Sequence, residues 1–306
     1  MSPKPGLFLV GAPRCGTTAM TGFLSAHPQI FMSPVKEVHY FGRDLDFTQA
    51  RPTREQYLSL FDGVRDELCV GESSVWYLYS RTAAHEIQEF NPLASVVIML
   101  RNPVEMLYSL HSEFLFGGNE DIADFAGALD AEVDRREGRR VPVTVNFPVG
   151  LLYRTTISYR SQVARYFDTF GKERVLVILF DDFVADTAGV YRRTLEHLGV
   201  DANFQPVFGA ANGNRRVRNT FVRDMVAKPR GLPRLLAKAL VPPSLRRRAA
   251  DVAWKLVAAS VPRPPMDMAL RTRLTEEFKE EVQDLELLIG RDLSGWYGTC
   301  QEHPHG

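Results

Sequence analysis

The chain has little cysteine, no net charge and no long apolar run. Its 306 residues include three cysteines, Cys15, Cys69 and Cys300, and this odd, widely spaced set favours reduced thiols over a disulfide framework. Lysine plus arginine equals aspartate plus glutamate at 37 each, so no overall field draws the protein to nucleic acid. No apolar run reaches the roughly 18 residues of a membrane span, and the first predicted strand begins near Leu7, leaving no room for a signal peptide ahead of it. We therefore predict a cytoplasmic protein without a transmembrane segment or a nucleic-acid partner.

A lysine is also missing from the loop that follows the first predicted strand. The apolar run 7–10 is followed by Gly-Ala-Pro-Arg-Cys-Gly-Thr-Thr at 11–18, where a helical pattern starts. Gly11 and Gly16 have the spacing of a nucleoside-triphosphate P-loop, but Thr17 occupies the position of its lysine. The loop therefore indicates a nucleotide whose terminal phosphates are not the groups handled.

What this loop does contain suits an anion. In a strand–loop–helix turn the backbone N–H groups of Cys15, Gly16, Thr17 and Thr18 point at a phosphate, and the helix dipole supports the charge. The two threonine hydroxyls add donors, and Arg14 supplies a planar fork that matches phosphate or sulfate. These five are the first candidate binding residues; the alternative is a turn without a chemical role.

Strand and helix patterns alternate along the chain. Further buried strands are predicted at 69–71, 95–100 and 175–180, and helices at 17–26, 104–116, 122–137, 153–170, 187–198 and 270–289. This alternation predicts an α/β fold, a P-loop-type parallel sheet flanked by helices. We expect residues 1–306 to form a single domain with a helical C-terminal part.

A second candidate anion site follows the strand predicted at 95–100. Arg101 emerges at the end of that strand beside the phosphate loop, and Pro103 fits the first turn of the next helix. Ser109 lies two turns along this helix. Together Arg101 and Ser109 suit a second phosphate on the ribose side of a nucleotide. The alternative is an arginine bonded to helix carbonyls and an ordinary surface serine.

A basic stretch lies late in the chain. Residues 228–263 carry nine basic side chains and a single acid, Asp251. Three interpretations of 228–265 stay open: cationic helices with solvated arginines, a lid over an anionic substrate, or an interfacial helix that makes peripheral contact with acidic lipid.

At this point the chain resembles the sulfotransferases that use 3′-phosphoadenosine 5′-phosphosulfate (PAPS). Their 5′-phosphosulfate loop looks like 11–18, and their 3′-phosphate motif looks like Arg101, Pro103 and Ser109. The tyrosylprotein enzymes and their bacterial relatives resemble 13–18 most, although they usually carry serine at Cys15, whereas 36–41 (Lys-Glu-Val-His-Tyr-Phe) is similar to the heparan-sulfate group. Further similarities lie at 71–79, 180–183 and 292–296.

PAPS needs two separate anion sites, which this sequence offers, and in this family sulfuryl transfer uses neither the P-loop lysine nor a metal. The resemblance therefore implies PAPS as co-substrate, its desulfated product PAP, and no metal.

The resemblance also implies roles for individual residues. Glu37 matches the catalytic glutamate of the heparan-type enzymes and is our general base, with His39 as the substitute. Arg14 stabilises the departing 5′-phosphate and the transferring sulfuryl group. Lys36 is either a substrate contact or a solvated lysine. Ser73 stands where heparan-type enzymes place a lysine, which is a departure from their pattern.

A late loop, 212–218, is similar to the segment of the family that closes on the 3′-phosphate and adenine. Arg215 and Arg216 are the candidate contacts, with Arg218 in reserve. The alternative is an ordinary arginine-rich surface loop.

The sequence thus predicts an O-sulfotransferase that moves a sulfuryl group from PAPS to a hydroxyl of a small molecule or carbohydrate. The alternatives are a protein-tyrosine sulfotransferase, a kinase-like phosphotransferase and a non-catalytic nucleotide-binding protein. The acceptor and the oligomeric state stay undetermined by the sequence.

Overall fold

The computed structural model describes residues 3–208 and 264–298, together with the backbone of 216–217 and 258–259. By its internal contacts the described chain divides into two compact units. The first contains residues 3–107, 154–208 and 267–298. The second contains residues 108–153, 264–266 and the two short backbone segments.

The first unit is built on a parallel five-stranded sheet of order β2-β3-β1-β4-β5. Its strands are β1 (Leu7–Gly11), β2 (Ile30–Met32), β3 (Cys69–Ser73), β4 (Ser95–Leu100) and β5 (Val175–Leu179). The α/β parallel sheet predicted from the sequence is confirmed. β2 was not predicted, because three residues are too few to show a strand periodicity. In the second unit, β6 (Arg216–Val217) pairs antiparallel with β7 (Ala258–Ala259).

Helices lie between the strands and follow the sheet. They are α1 (Thr17–Ser25), α2 (Arg54–Ser59), α3 (Ala83–Phe90), α4 (Pro103–Gly117), α5 (Phe125–Asp130), α6 (Glu132–Arg136), α7 (Tyr153–Thr156), α8 (Tyr159–Phe170), α9 (Phe180–Ala185), α10 (Thr187–Leu198), α11 (Met268–Glu277), α12 (Lys279–Ile289) and α13 (Ser294–Tyr297). The helices predicted at 122–137, 153–170 and 270–289 are each two helices, because a break of one or two residues leaves the apolar period almost unchanged. The helical C-terminal part is confirmed.

An aromatic cluster anchors the segment after β2 to the sheet of the first unit. The Tyr40 ring stacks on Tyr57 of α2 with centroids 4.1 Å apart. Phe41 meets Phe8 of β1 edge-on at 5.7 Å and Phe90 of α3 at 5.4 Å. Such pairs bury large apolar areas in a fixed geometry. They hold residues 40–41 in place next to the candidate base.

A buried ion pair lies inside the second unit. Arg135 of α6 donates two hydrogen bonds to Glu120, at 2.8 and 2.6 Å, and both side chains are almost fully buried. Tyr153 adds a third donor to the same carboxylate at 2.9 Å. Burial alone raises the pKa of Glu120, but the hydrogen bonds and charge of Arg135, with the hydrogen bonds from Ile122 N–H and Tyr153, together outweigh burial and hold that pKa below its ordinary value.

Candidate active site

The loop between β1 and α1 is shaped by two glycines. Gly11 ends β1 with φ +155°, and a Cβ there would lie 2.6 Å from Leu78 Cβ and 2.7 Å from Val75 O. Only glycine fits so close an approach. Gly16 precedes α1 in the left-handed conformation, with φ 86°. A Cβ at Gly16 would meet the Phe183 ring at 3.1 Å.

The N-terminus of α1 presents its backbone donors to the loop. Among the described residues, the N–H groups of Cys15, Gly16, Thr17 and Thr18 donate to no carbonyl or side chain. The first N–H groups of a helix have no partner within the helix, and they form a binding place for anions. Arg14 adds a half-buried guanidinium on a residue with φ 63°. The chemistry of the loop is therefore that of an oxyanion cradle.

Cys15 contributes its backbone rather than its thiol. Its side chain is fully buried, and Sγ donates to Pro13 O at 3.3 Å. Burial raises the pKa of this thiol to about 12, against the opposing charges of Arg101 and Arg14. It stays protonated at neutral pH. The N–H of Ala12 donates to Met99 O at 2.6 Å, which holds the end of β4 close to the loop.

Glu37 is fixed at the carboxyl end of the sheet. Its N–H donates to Ser73 O at 3.0 Å, and its Oε2 accepts from Val75 N at 2.9 Å. Lys36 Nζ lies 2.5 Å from Oε1. The side chain remains 31% exposed, so a substrate can reach it. Because Val75 contacts both Glu37 and Gly11, the carboxylate lies beside the loop.

His39 stands next to this carboxylate. Its Nε2 is 3.9 Å from Glu37 Oε2, and its ring stacks on Phe47 at 3.9 Å. Burial lowers the pKa of His39, an effect that the Glu37 charge opposes. Its buried Nδ1 has no hydrogen-bond partner within the described part of the chain. A neutral imidazole can accept a proton, and His39 lies beside Glu37. Both therefore remain candidates for the general base.

A buried carboxyl that sequence reasoning did not select lies below this segment. Glu72 of β3 is 0% exposed and accepts hydrogen bonds from the hydroxyls of Tyr57, Ser74 and Tyr77. The glutamate in Gly-Glu-Ser-Ser at 71–74 was visible in the sequence. Two of its hydroxyl partners, Ser74 and Tyr77, are close to it in the chain, but its full burial and its bond to Tyr57 of α2 depend on the fold and leave no local pattern.

Arg101 emerges at the end of β4 as predicted. Its guanidinium lies 4.7 Å from the Phe180 ring centroid and 3.5 Å from Glu105 Oε2. The side chain is 21% exposed. The next residue, Asn102, donates to Trp296 O at 3.3 Å, and Trp296 Nε1 donates to Asp181 at 2.6 Å. The C-terminal helix α13 thus braces the turn that carries Arg101.

The remaining predicted site residues lie elsewhere in the chain. Ser109 is buried on α4 and belongs to the second unit. Arg216 is in β6, of which the backbone is described, while Arg215 and Arg218 lie outside the described residues. Most of 228–265 also lies outside them. The first unit therefore brings together the loop 11–18, Lys36, Glu37, His39 and Arg101.

Comparison with known proteins decides the family. Residues 4–223 match the sulfotransferase domain. The chain belongs to the sulfotransferase family. A solved sulfotransferase from Alicyclobacillus acidocaldarius is 30% identical to this sulfotransferase, with a TM-score of 0.73, covering 96% of this chain and 99% of that one. The resemblance drawn from the sequence is confirmed at the level of the family, the fold and the enzyme class.

Curated relatives of this sulfotransferase include enzymes named for carbohydrate acceptors. Mouse carbohydrate sulfotransferase 15 is 24% identical over 249 residues, covering 64% of this chain and 44% of the mouse protein. The bifunctional heparan sulfate N-deacetylase/N-sulfotransferase 1 of Caenorhabditis elegans is 31% identical over 136 residues, covering 42% of this chain and 15% of that protein. The chain spans less than half the length of these curated relatives.

Proposed function

We propose that this sulfotransferase transfers the sulfuryl group of PAPS to a hydroxyl of a carbohydrate or small molecule, with Glu37 as general base. The observation that carries the proposal is the position of Glu37. Its carboxylate is held by Val75 N at 2.9 Å, beside the anion-binding loop, and stays exposed to substrate. The names of the curated relatives favour a carbohydrate acceptor.

The reaction follows from these residues. The acceptor hydroxyl attacks sulfur and forms a new S–O bond, while the S–O bond to the 5′-phosphate breaks and its electron pair leaves with PAP. Glu37 takes the hydroxyl proton. The N–H groups of 15–18 and the Arg14 guanidinium stabilise the negative charge that grows on the departing 5′-phosphate. We assign Lys36, whose Nζ lies 2.5 Å from Glu37 Oε1, to the sulfuryl oxygens.

The second anion site would hold the 3′-phosphate. Arg101 carries a partly exposed guanidinium whose stacking on Phe180 fixes its direction. We assign Ser109, Arg215 and Arg216 to the same phosphate on the family resemblance alone.

Two measurements test the proposed function. Calorimetry should detect PAP binding at micromolar concentration or below with EDTA present; no heat, or binding that requires Mg²⁺, would favour the kinase-like alternative. Incubation with PAPS labelled at the sulfuryl sulfur, and with fractions of the host's glycans, metabolites and peptides, should then transfer label to a hydroxyl-bearing glycan or metabolite. Label on a tyrosine peptide instead would identify a protein-tyrosine sulfotransferase. PAP binding without any transfer would identify a non-catalytic protein.

We further propose that residues 1–306 act as one sulfotransferase domain in which 228–265 is a basic insertion or lid. No helix among residues 3–208 and 264–298 is long and apolar enough to cross a membrane. The cytoplasmic location stays a prediction that rests on the cysteine pattern.

A further inference from the structure

Glu72 is a carboxyl group with an unusual set of partners. It is fully buried in β3, and its hydrogen bonds come from three neutral hydroxyls. Tyr57 and Tyr77 donate to Oε1 at 2.8 and 3.2 Å, and Ser74 donates to Oε2 at 2.9 Å. A buried carboxylate costs free energy unless donors satisfy it, and here three hydroxyls serve as those donors. An apolar side chain would fill the same space without them, so we expect a role of the carboxyl group beyond packing.

Two of these hydroxyls also hold the segment that carries the candidate base. Ser74 Oγ accepts from His39 N at 3.3 Å. Tyr77 Oη accepts from Tyr40 N at 2.9 Å and from Phe41 N at 3.2 Å. A hydroxyl has one hydrogen to donate and lone pairs to accept with. Because Glu72 takes the hydrogen of each hydroxyl, the lone pairs face the backbone amides.

The segment needs such support because its backbone is strained. Glu37 and His39 both have positive φ angles, 62° and 52°. Side chains rarely adopt this conformation unless their surroundings impose it, and it is common at functional sites. Downstream of Glu37 this backbone is held by the bonds from residues 39–41 to Ser74 and Tyr77, and by hydrogen bonds that Arg51 donates to His39 O at 2.9 Å and Phe41 O at 2.8 Å.

We propose that Glu72 is a positioning residue for sulfuryl transfer: through the hydroxyls of Ser74 and Tyr77 it fixes the backbone of residues 39–41, and with it the orientation of Glu37. The inference rests on the proposed role of Glu37 as base. Glu72 does not touch the substrate. It acts by keeping two hydroxyls turned so that they accept hydrogen bonds from this backbone.

The protonation state of Glu72 then affects turnover. Burial raises the pKa of Glu72 to about 7, against the lowering effect of the Tyr57, Ser74 and Tyr77 hydrogen bonds, and the nearby Glu37 charge adds to the rise. Among the described residues, Tyr57 of α2, Ser74 and Tyr77 after β3, and Glu37 after β2 act on Glu72, and Tyr166 of α8 is also coupled to it electrostatically. A protonated Glu72 donates one hydrogen bond, so one of the hydroxyls that donated to it must turn its own hydrogen elsewhere. Where that hydroxyl is Ser74 or Tyr77, its hydrogen bonds to the backbone of residues 39–41 are disturbed. We expect turnover to fall as pH drops through this range.

The first test replaces the carboxyl with an amide of the same shape. Glu72→Gln should lower kcat about 10- to 100-fold, while KM for PAPS and the Kd of PAP change by less than about threefold. The acidic limb of the pH–rate profile near neutrality should disappear. A merely structural role would change KM, Kd and thermal stability together and leave the shape of the pH profile unchanged.

A matched pair of tyrosines gives a sharper test that keeps the carboxyl. Tyr57 and Tyr77 are both fully buried and both donate to Glu72, but Tyr77 alone of the two accepts from the backbone of 40–41 among the described contacts. Tyr77→Phe should speed hydrogen exchange at the Tyr40 and Phe41 amides about tenfold or more and lower kcat by a similar factor. Tyr57→Phe keeps the ring stacked on Tyr40 and should change exchange at these amides by less than about threefold. Because it also removes a hydrogen bond that lowers the pKa of Glu72, the kcat values are compared well above neutral pH, where Glu72 is ionised, and there kcat of Tyr57→Phe should also change by less than about threefold.

The outcomes separate this inference from the proposed function. Equal effects of Tyr57→Phe and Tyr77→Phe, or a Glu72→Gln variant with unchanged kcat and pH profile, would overturn the role of Glu72. A wild-type protein that binds PAP but never transfers label would overturn the proposed function. The amide-exchange comparison would in that case still decide whether the tyrosine hydroxyl holds residues 40–41.

Discussion

At the scale of single residues, the proposed function depends most on Glu37. We expect Glu37→Gln to bind PAP within about threefold of the wild-type Kd and to lose about 10²- to 10⁴-fold in kcat, because a general base contributes in the transition state rather than in binding. Labelled-PAPS turnover and calorimetry measure the two quantities. Glu89→Gln, at a side chain that is 68% exposed, is the control and should change neither. Full activity of Glu37→Gln would move the role to His39, which His39→Gln then tests.

The second anion site is tested by replacing Arg101. Arg101→Ala should weaken PAP binding about 10- to 100-fold, as expected for one charge-assisted contact to phosphate, and should leave adenosine 5′-phosphate binding nearly unchanged. Calorimetry with both nucleotides gives the comparison. Arg192→Ala, at a side chain 66% exposed on α10, serves as the matched control. Equal losses for the two nucleotides would remove Arg101 from the 3′-phosphate site.

Glu72 also links stability to pH. Its pKa is raised to about 7 in the folded protein, mainly by burial, so between about pH 4.5 and pH 7 the folded state binds a proton that the unfolded state has lost. This group's contribution to stability is therefore fully present below the ordinary glutamate pKa and is lost as pH rises toward the folded value. We expect the free energy of unfolding of the wild type relative to Glu72→Gln to fall by up to about 1.4 kcal/mol per pH unit across that window. Urea unfolding at several pH values measures it, and parallel curves for the two proteins would contradict it.

At the scale of elements, the second unit depends on the pair between Glu120 and Arg135 of α6. Arg135→Met leaves a buried carboxylate without its cation and should cost about 3–5 kcal/mol in the free energy of unfolding. Arg135 helps to hold the pKa of Glu120 below its ordinary value. The contribution of the pair to the free energy of unfolding is therefore fully present above the ordinary glutamate pKa and is lost as pH falls through the lowered pKa. The control Arg139→Met breaks exposed pairs and should cost less than about 1 kcal/mol. Denaturant unfolding measures both losses. Similar losses of unfolding free energy for the two variants would show that burial does not determine how much each ion pair contributes.

At the scale of the whole molecule, ligand binding and stability are coupled. PAP at about 100 times its Kd should raise the free energy of unfolding by about 2.7 kcal/mol, because it binds the folded chain alone. Denaturant unfolding with EDTA present measures the gain. Absence of stabilisation, or dependence of the gain on added Mg²⁺, would contradict a metal-free PAPS site. Inorganic phosphate at the same concentration is the control for a general salt effect.

The strand, loop and helix around 7–26 were predictable from the sequence because their determinants are local. Gly11 and Gly16 are required by a close contact and a left-handed turn, and the N–H groups of 15–18 follow from the start of α1. The same holds for β4 and Arg101 at its end. The breaks within the paired helices were not predictable, because they leave the apolar period unchanged.

By itself, therefore, the sequence determined the α/β class, the glycine-bounded loop between β1 and α1, and the residue types available for sulfuryl transfer. The tertiary structure alone decided how Glu37 is held, because its partner Val75 and the hydroxyls of Ser74 and Tyr77 are more than 30 residues away in the chain. It also decided that Glu72 is a buried carboxyl that supports this segment. Burial and long-range hydrogen bonds depend on which strands become neighbours, and no local pattern of residues records that.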